Sequence, residues 1–272
     1  MFTRSKFRYI KKRQLAASEM PNLFTEQEYR FAIRQKDKSL LVSCQTSNSI
    51  LLAKSYGEVI AGVVKTGLDK PQALALDDQN DELYVVDRNG GCVLVYNKEY
   101  DHVRTIGKGQ LKEPVGITLM DNSIYVADNE NHRIAFFDKD GCDEPRFMSE
   151  YGKGRGQLYC PCGIASFKDL LIIAEWGNGR IQVFQNGKSI LVVEGCAHAH
   201  SVTVSPNGVV YYGMYSHKRI GSFKIEYDAG DTTPRFIVSD KYIELNEPPT
   251  SLFWDETRLG VVTARKILFV NV

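Results

Sequence analysis

Short apolar runs bounded by Gly, Asn, Asp or Pro recur along the whole chain. Within a run, apolar residues either alternate with polar ones or follow one another directly, as in Leu170–Ala174. Such runs are typical of β-strands, because an amphipathic helix needs a 3.6-residue period over about a dozen residues. Only the segment near Met20–Tyr29 offers a turn of helical pattern. The pattern therefore predicts an all-β protein.

The predicted strands are organised in a repeat. One unit contains Pro114–Leu119, Ser123–Asp128 and Asn131–Asp138, and the next unit has the same Pro-x-Gly-Ile and Asn-x-Arg-Ile sequences. First strands start near residues 30, 72, 115, 162, 201 and 251. This spacing of about 40 to 50 residues is the period of β-propeller blades. We therefore predict an all-β, six-bladed β-propeller of four-stranded antiparallel blades.

The repeat extends over the whole chain, so we expect residues 1–272 to form a single domain. The predicted blades lie near residues 28–66, 67–110, 111–155, 156–197, 198–243 and 244–272. The last unit ends directly after its third strand, and residues 7–15 resemble the fourth strand and following loop at 103–111. We predict that residues 6–12 complete the last blade and close the ring, which leaves no open sheet edge. A disordered tail is the alternative, since Arg4–Arg13 carries six basic and no acidic residues.

Three sequence motifs carry a family resemblance. Pro114–Ile117, Ile124–Asp128 and Asn131–Ile134 resemble the NHL repeat; the motif is specific in two units, partial in one and eroded in three. The resemblance implies an NHL-type β-propeller similar to the NHL domains of TRIM-NHL and Brat-type proteins. It does not by itself assign a function, because this fold has many unrelated ones.

Composition narrows the function classes. Lys and Arg total 34 and Asp and Glu total 33, which gives a net charge of +1. This balance excludes a wholly basic nucleic-acid binder, although it is compatible with one basic face. No DNA binding is expected. No apolar run reaches about 18 residues, and the N-terminus lacks the apolar core of a secretory signal. We expect a soluble, cytoplasmic monomer with no membrane contact.

The six cysteines form no Cys-x-x-Cys pair and are too sparse for a disulfide scaffold. Cys160 and Cys162 are the only close pair, and no second pair of ligands supports a metal site there. The chain also lacks a Gly-x-Ser-x-Gly elbow and a P-loop. We therefore predict no metal, no cofactor, no catalytic residue and no enzymatic activity.

Partner-binding residues are expected at one end of the propeller, where turns between second and third strands meet the loops that join successive blades. In this sequence that end is rich in Lys, Arg, aromatic and amide side chains, while acids such as Asp77, Asp78 and Asp138 fall on opposite turns. The candidate binding residues are Arg88, Asn89, Asn129, His132, Trp176, Asn178, Tyr215, His217, Lys218, Arg265 and Lys266. Asn and Arg of the repeat signature have a second interpretation, in which they fix the turn through Asp128 or Glu175.

Such a surface suits single-stranded RNA or an RNA stem-loop, because cations hold phosphates and rings stack on unpaired bases. The family resemblance implies RNA binding at the same end. Arg88, Lys218 and Lys266 are then expected to contact phosphate, Trp176 and Tyr215 to stack on bases, and Asn89, Asn178 and His217 to contact base edges. Packing of Trp176 against a neighbouring loop is the alternative for that residue.

Two other functions remain open at this point. The first is a protein-interaction platform, such as the substrate-recruiting domain of a ubiquitin ligase, as the TRIM-NHL resemblance implies. The second is a zinc-dependent peptidyl-hydroxyglycine amidating lyase, a class that also resembles six-bladed NHL propellers. His198 and His200 lie on a suitable loop, but the equivalent loops of the other blades carry no histidine, and three converging imidazoles would be needed.

Overall fold

Six antiparallel sheets follow one another along the chain. The computed structural model describes residues 28–53, 60–139, 144–228 and 233–272. The first sheet consists of β1 (Tyr29–Arg34), β2 (Leu40–Cys44), β3 (Ser49–Ala53) and β4 (Ile60–Lys65). The second consists of β5 (Pro71–Asp77), β6 (Glu82–Asp87), β7 (Cys92–Tyr96) and β8 (His102–Ile106). The third consists of β9 (Pro114–Met120), β10 (Ser123–Asp128), β11 (Arg133–Asp138) and β12 (Arg146–Met148).

The second half of the chain repeats this arrangement. The fourth sheet consists of β13 (Pro161–Phe167), β14 (Leu170–Glu175), β15 (Arg180–Gln185) and β16 (Lys188–Val193). The fifth consists of β17 (Ala199–Val204), β18 (Val209–Met214), β19 (Arg219–Tyr227) and β20 (Pro234–Val238), and the short β21 (Ile243–Glu244) also pairs with β19. The sixth consists of β22 (Ser251–Asp255), β23 (Arg258–Val262) and β24 (Ile267–Val270). The predicted six-bladed propeller is confirmed.

The ring closes between the first and last blades within the described residues. The Tyr29 amide donates to the carbonyl of Ala264 at 3.0 Å, and the Thr250 hydroxyl donates to the carbonyl of Tyr29 at 3.2 Å. Arg34 forms an ion pair with Asp255 at 2.8 Å. The predicted strand at residues 6–12 lies outside the described residues.

The apolar core lies between adjacent blades. Between the second and third blades, Tyr84 and Val86 pack with Ile117, Ile124 and Phe137, all of them buried. Alternation along each strand points successive side chains to opposite sheet faces, so every blade contributes to the two cores that flank it. Burial of apolar area at about 25 cal/mol per Å² makes these inter-blade layers the main stabilising contribution. The strands are therefore the scaffold that positions the loops.

Helix is almost absent. The single helix among the described residues is the 3₁₀ turn Asn129–Asn131 between β10 and β11. In those same residues there is thus no helix with the length and hydropathy needed to cross a membrane.

Candidate functional site at the loop-rich end

The loops that carry the predicted binding residues meet at one end of the propeller, here named the upper rim. It consists of the turns between second and third strands (residues 45–48, 88–91, 129–132, 176–179, 215–218 and 263–266) and the loops between blades (66–70, 107–113, 149–160, 194–198 and 245–250). Backbone hydrogen bonds join the two sets, for example from Trp176 to the carbonyl of Cys160 at 3.0 Å and from Tyr215 to that of His198 at 3.3 Å. The opposite end is the lower rim.

An acidic residue at the end of a second strand anchors each of three inter-blade loops. The carboxylates of Asp87, Asp128 and Glu175 accept backbone N–H groups from the preceding loop at 2.6, 2.7 and 3.0 Å. Hydrogen bonds of a buried carboxylate to backbone amides are charge-assisted and strong. The acids of the repeat therefore hold the upper-rim loops in place.

The arginine and asparagine of the repeat signature act on the same carboxylates. Arg133 binds Asp128 at 2.8 Å, and Arg180 binds Glu175 at 2.7 Å. Asn178 donates to Glu175 at 2.6 Å and to the carbonyl of Gly152 at 2.9 Å. These contacts are the ones expected if the signature residues fix the turn rather than bind a partner. The side-chain amide of Asn178 therefore donates its hydrogen bonds within the protein.

Arg180 and its neighbours bind the glycine-rich loop Gly152–Gly156 from below. The guanidinium donates to the carbonyls of Lys153 at 2.6 Å and Gly154 at 2.9 Å. The Gly154 and Gly156 amides donate in turn to the side-chain oxygens of Gln157 and Gln182, both at 3.0 Å. These amides are therefore engaged by the protein, which fits a structural loop better than a phosphate cradle.

Two clusters of aromatic rings lie on the upper rim of the third, fourth and fifth blades, and together we name them the aromatic arc. The first cluster consists of His132, Tyr151 and Tyr159, with ring centroids 5.0 to 5.3 Å apart. The second consists of Trp176, His198, His200 and Tyr215, with ring centroids 4.5 to 6.1 Å apart. Trp176 stacks on His198 of the neighbouring loop, as in the packing alternative for this residue.

The other predicted site residues are distributed unevenly between surface and interior. Asn129 is buried, and its amide donates to the carbonyl of Pro161 at 3.0 Å, so it joins the third blade to the fourth. Asn89 is exposed and donates to Asp69 at 3.0 Å. His217 and Lys218 are exposed, and within the described ranges their side chains form no ion pair. The turn that follows Tyr215 is thus an open part of the rim.

Several cations of the upper rim are paired with carboxylates among the described residues. Arg88 binds Glu113, Lys266 binds Glu247 at 3.2 Å, and Lys112 lies 3.9 Å from Glu130. A hydrogen bond from Thr263, followed by the charge of Lys266, lowers the pKa of the Glu247 carboxyl. Exposed pairs of this kind contribute little to stability and exchange readily for a ligand. The rim is therefore mixed in charge, with the rings on its third, fourth and fifth blades.

The central channel opens at this rim. A cavity of about 350 Å³, open solvent at its mouth included, is lined by residues of all six first strands and their flanks, among them Arg30, Gln72, Cys162, His200 and Thr250. His200 lies 2.7 Å from the Thr250 carbonyl through Nδ1, so that nitrogen carries the proton. Burial, reinforced by the charges of Arg30 and Arg88, lowers the pKa of His200 to about 4 despite this hydrogen bond. The imidazole is therefore neutral at physiological pH.

The histidines of the rim do not converge as a metal site would require. His198 contacts the Ser216 hydroxyl, His200 contacts Thr250, and His132 accepts the amide of Cys160 at 3.3 Å. Within the described ranges, no group of three or more His, Cys, Asp and Glu side chains is placed to hold a metal ion.

Comparison with known proteins supports the motif interpretation. Residues 111–137, in the third blade, match the family model described as "NHL repeat". The chain is 32% identical over 108 residues to "Protein brain tumor" of Drosophila melanogaster, a match that covers 37% of this chain and 10% of that protein. The chain thus spans a small part of the length of this curated relative. The predicted resemblance to NHL-repeat propellers of the Brat type is confirmed.

Solved structures show the same fold at low sequence identity. A virginiamycin B lyase from Staphylococcus aureus has a TM-score of 0.66 and 13% identity, covering 92% of this chain and 97% of that one. A streptogramin B lyase has a TM-score of 0.61 and 17% identity, covering 87% and 76%. A nidogen/laminin complex has a TM-score of 0.63 and 20% identity, covering 73% and 76%. These similarities establish the propeller architecture alone.

Proposed function

We propose that the upper rim is a non-catalytic surface that binds single-stranded RNA. The observation that carries the proposal is the aromatic arc, in which seven rings from three consecutive blades lie on one rim. Unpaired bases stack on such rings, and each stacked base contributes about 1–3 kcal/mol. The NHL repeat and the similarity to the Drosophila protein support a binding module.

The cations around the arc supply the phosphate contacts of this proposal. Lys218 follows Tyr215 on the open turn of the fifth blade, and Lys153 and Arg155 follow Tyr151, whose surface is 60% exposed. Arg88 and Lys266 join them when RNA phosphates replace their carboxylate partners. His217 and Asn89 are exposed beside these cations and are the base-edge contacts. Asn129 and Asn178 act indirectly, by holding the loops.

A protein ligand is the second candidate, and the mixed charge of the rim favours it. The cations Arg30, Arg88, Lys112 and Lys266 each have a carboxylate neighbour on the same rim. Protein interfaces combine aromatic residues with arginine at a polar boundary, as this rim does. A substrate-recruiting role would use the same surface. RNA is preferred because so many rings are grouped together with exposed lysines.

A lyase activity is not proposed. The lyases among the structural neighbours share the fold at 13–17% identity, which transfers no catalytic residue. His198 and His200 have roles in ring packing and hydrogen bonding that account for their positions. Zinc analysis of the purified protein is the direct check, and stoichiometric zinc would reopen this function.

The test is RNA binding by charge-reversal variants. RNA is first selected from a random single-stranded pool, and its affinity is then measured at several salt concentrations. Lys218→Glu combined with Lys266→Glu should weaken binding tenfold or more and flatten the salt dependence. The matched control reverses Lys98, on a lower-rim turn, and Lys188, at the lower-rim end of β16, and should change affinity less than twofold. Equal effects of both double variants, or selection of no RNA, would refute the proposal.

A protein pull-down with the same variants separates the two candidates. If a protein partner depends on Lys218 and Lys266 while no RNA is selected, the rim is a protein-binding surface. If the selected RNA binds the rim of the purified chain in the absence of any protein partner, RNA is the ligand. Both measurements use the full chain.

A further inference from the structure

The channel mouth has a polar half and an apolar half. One residue at the start of each blade's first strand lines this mouth. In five blades it is the second residue of the strand, and in the sixth it is Thr250, directly before β22; the six are Arg30, Gln72, Val115, Cys162, His200 and Thr250. Val115 and Cys162 belong to the third and fourth blades, which are neighbours. The other four blades are also consecutive around the ring, and each contributes a polar side chain. Polar groups are thus concentrated on one side of a narrow opening.

Two arginines on the polar side, Arg30 of the lining and Arg88 of the second-blade turn, have N–H groups that form no bond among the described residues. Arg30 donates from Nε to Gln45 at 2.8 Å and from Nη2 to Glu28 at 3.1 Å. Arg88 donates from Nη2 to Glu113, while its Nε is buried and has no partner among the described residues. A guanidinium has five N–H donors, so each group retains N–H bonds for a ligand. Both carboxylate partners are exposed, and water weakens their hold on the arginines.

His200 adds an acceptor of fixed orientation. Because Nδ1 donates to the Thr250 carbonyl, Nε2 carries the lone pair of the neutral ring. The guanidinium charges of Arg30 and Arg88 both act on this imidazole. The positive potential of the two arginines therefore reaches the channel mouth, where a hydrogen-bond acceptor is also present.

Some of the unsatisfied buried polar atoms belong to the lining of the channel mouth. In the described part of the chain, seven buried side-chain nitrogen and oxygen atoms have no hydrogen-bond partner. Two of them, Ser201 Oγ and Ser251 Oγ, belong to residues that line the cavity, while Gln45 Nε2 and Arg88 Nε lie on upper-rim turns of the first and second blades. Ser201 is 4% and Ser251 1% exposed, and both line the cavity. Buried polar groups are normally satisfied, so the two unpaired hydroxyls of the lining point to a polar ligand.

We propose that the channel mouth binds one phosphate group between Arg30, Arg88 and His200. Arginine matches phosphate through paired N–H donors. Inorganic phosphate keeps at least one O–H group at neutral pH, and this group donates to Nε2 of His200; a terminal phosphate monoester keeps one below its second pKa of about 6. A carboxylate has no such proton at neutral pH. The proposal goes beyond RNA recognition by the aromatic arc and holds for a free phosphate as well as for the terminal phosphate of an RNA chain.

Inorganic phosphate tests the site directly. Phosphate is titrated into the full chain and followed by the imidazole NMR signals and by calorimetry, with His200→Gln to assign the His200 signal. The signal of His200 should shift on titration, whereas that of His102 on β8, at the outer edge of the second blade, should not. Sulfate, which carries no proton at neutral pH, should bind several-fold more weakly. An unchanged His200 signal at saturating phosphate would overturn the proposal.

Substitution of the arginines provides the matched comparison. Arg30→Gln and Arg88→Gln should each weaken phosphate binding roughly tenfold, the loss expected for a charge-assisted contact. Arg146→Gln removes an exposed lower-rim cation of the same type and should leave binding within twofold. Arg88→Lys keeps the charge without the fork and should lie in between. Equal losses in Arg146→Gln and Arg88→Gln would contradict a specific site.

RNA with and without a terminal phosphate identifies the source. If the site takes an RNA end, a 5′-phosphorylated oligonucleotide should bind about tenfold more tightly than its 5′-hydroxyl counterpart, and Arg88→Gln should abolish the difference. If it takes free phosphate, the two RNAs should bind equally while inorganic phosphate still shifts His200. Phosphate binding without any RNA binding would refute the proposed RNA function and leave the channel site standing.

Discussion

Arg180 is the most informative position for the claim that the repeat signature is scaffold. Its guanidinium is 5% exposed and forms an ion pair with Glu175, which is fully buried, at 2.7 Å. It also donates to the carbonyls of Lys153, Gly154 and Gln157 at 2.6, 2.9 and 2.9 Å. Arg180→Met keeps the aliphatic stem and removes every one of these donors. The glycine-rich loop then loses its bonds from Arg180 and keeps those to Asn178 and Gln182 on the blade.

The size of the effect follows from the burial of the pair. Removing one partner of a buried ion pair leaves an uncompensated charge and costs about 3–5 kcal/mol. In a protein of this size each kcal/mol lowers the Tm by about 2–4 °C, so Arg180→Met should lower it by roughly 10 °C. Glu175 keeps its bonds from Tyr159, Asn178 and Gln182, which places the cost towards the lower end of that range.

The assay is urea and thermal unfolding of a double-mutant cycle. Glu175→Gln should be costly in the wild-type background and much less so with Arg180→Met, which gives a coupling energy of about 1–3 kcal/mol. Arg155→Gln is the control, because Arg155 is exposed and its one hydrogen bond among the described residues is to the Ser189 carbonyl, at 2.9 Å; it should cost less than about 0.5 kcal/mol. A loss below about 1 kcal/mol in Arg180→Met, or additive single effects, would refute the reasoning.

Three further predictions concern packing and pH. A Cβ at Gly116 would lie 2.2 Å from the carbonyl oxygen of Cys162, so Gly116→Ala should lower the Tm, whereas Gly62→Ala meets no atom within 4 Å and should not. Trp176→Ala removes a ring that stacks across two loops and should both lower stability by about 1 kcal/mol and weaken RNA binding several-fold, as urea unfolding and titration would show. The pKa of His200 is lowered in the folded protein, so the unfolded chain binds a proton at this residue at a higher pH than the folded chain does. Stability should therefore fall as the pH falls from about 6.5 towards 4. Urea unfolding midpoints over this pH range should fall less in His200→Gln than in the wild type.

The fold was predictable because its determinants are local. The 40–50-residue period, the Pro-x-Gly-Ile start of an inner strand and the strand alternation of residues 124–128 are all visible in the sequence. The observed first strand of each blade starts at or within two residues of its predicted position, as Pro114 and Ser251 illustrate. Apolar positions on both faces of each strand then require a neighbouring blade on either side.

The site was only partly predictable because its contacts join different loops. The sequence predicts Trp176 and Tyr215 on the same rim, but the packing of Trp176 with His198 and Tyr215 depends on how two loops fold across the blade boundary. Tyr151 was not singled out, although an aromatic residue next to a glycine-rich loop is a usable signal. Asn129 shows the opposite difference, since an exposed turn position by sequence is a buried contact between blades in the structure.

The pairing of charges on the rim was also not predictable from the sequence. Lysines and arginines could be assigned to this end by counting strands, but pairing of Arg88 with Glu113 and of Lys266 with Glu247 depends on side-chain geometry. Because these pairs are exposed, a polyanion can compete with the carboxylates at modest cost. The rim is thereby expected to bind RNA with a strong dependence on salt.

Ultraviolet cross-linking followed by mass spectrometry tests the central claim most directly. The selected RNA is irradiated on the full chain, and cross-linked peptides are mapped. The aromatic arc predicts adducts at Tyr151, Tyr159, Trp176 or Tyr215, and their loss when the RNA is competed away. Cross-links confined to the lower rim or to the outer strands β8, β16 and β20 would contradict recognition by the upper rim.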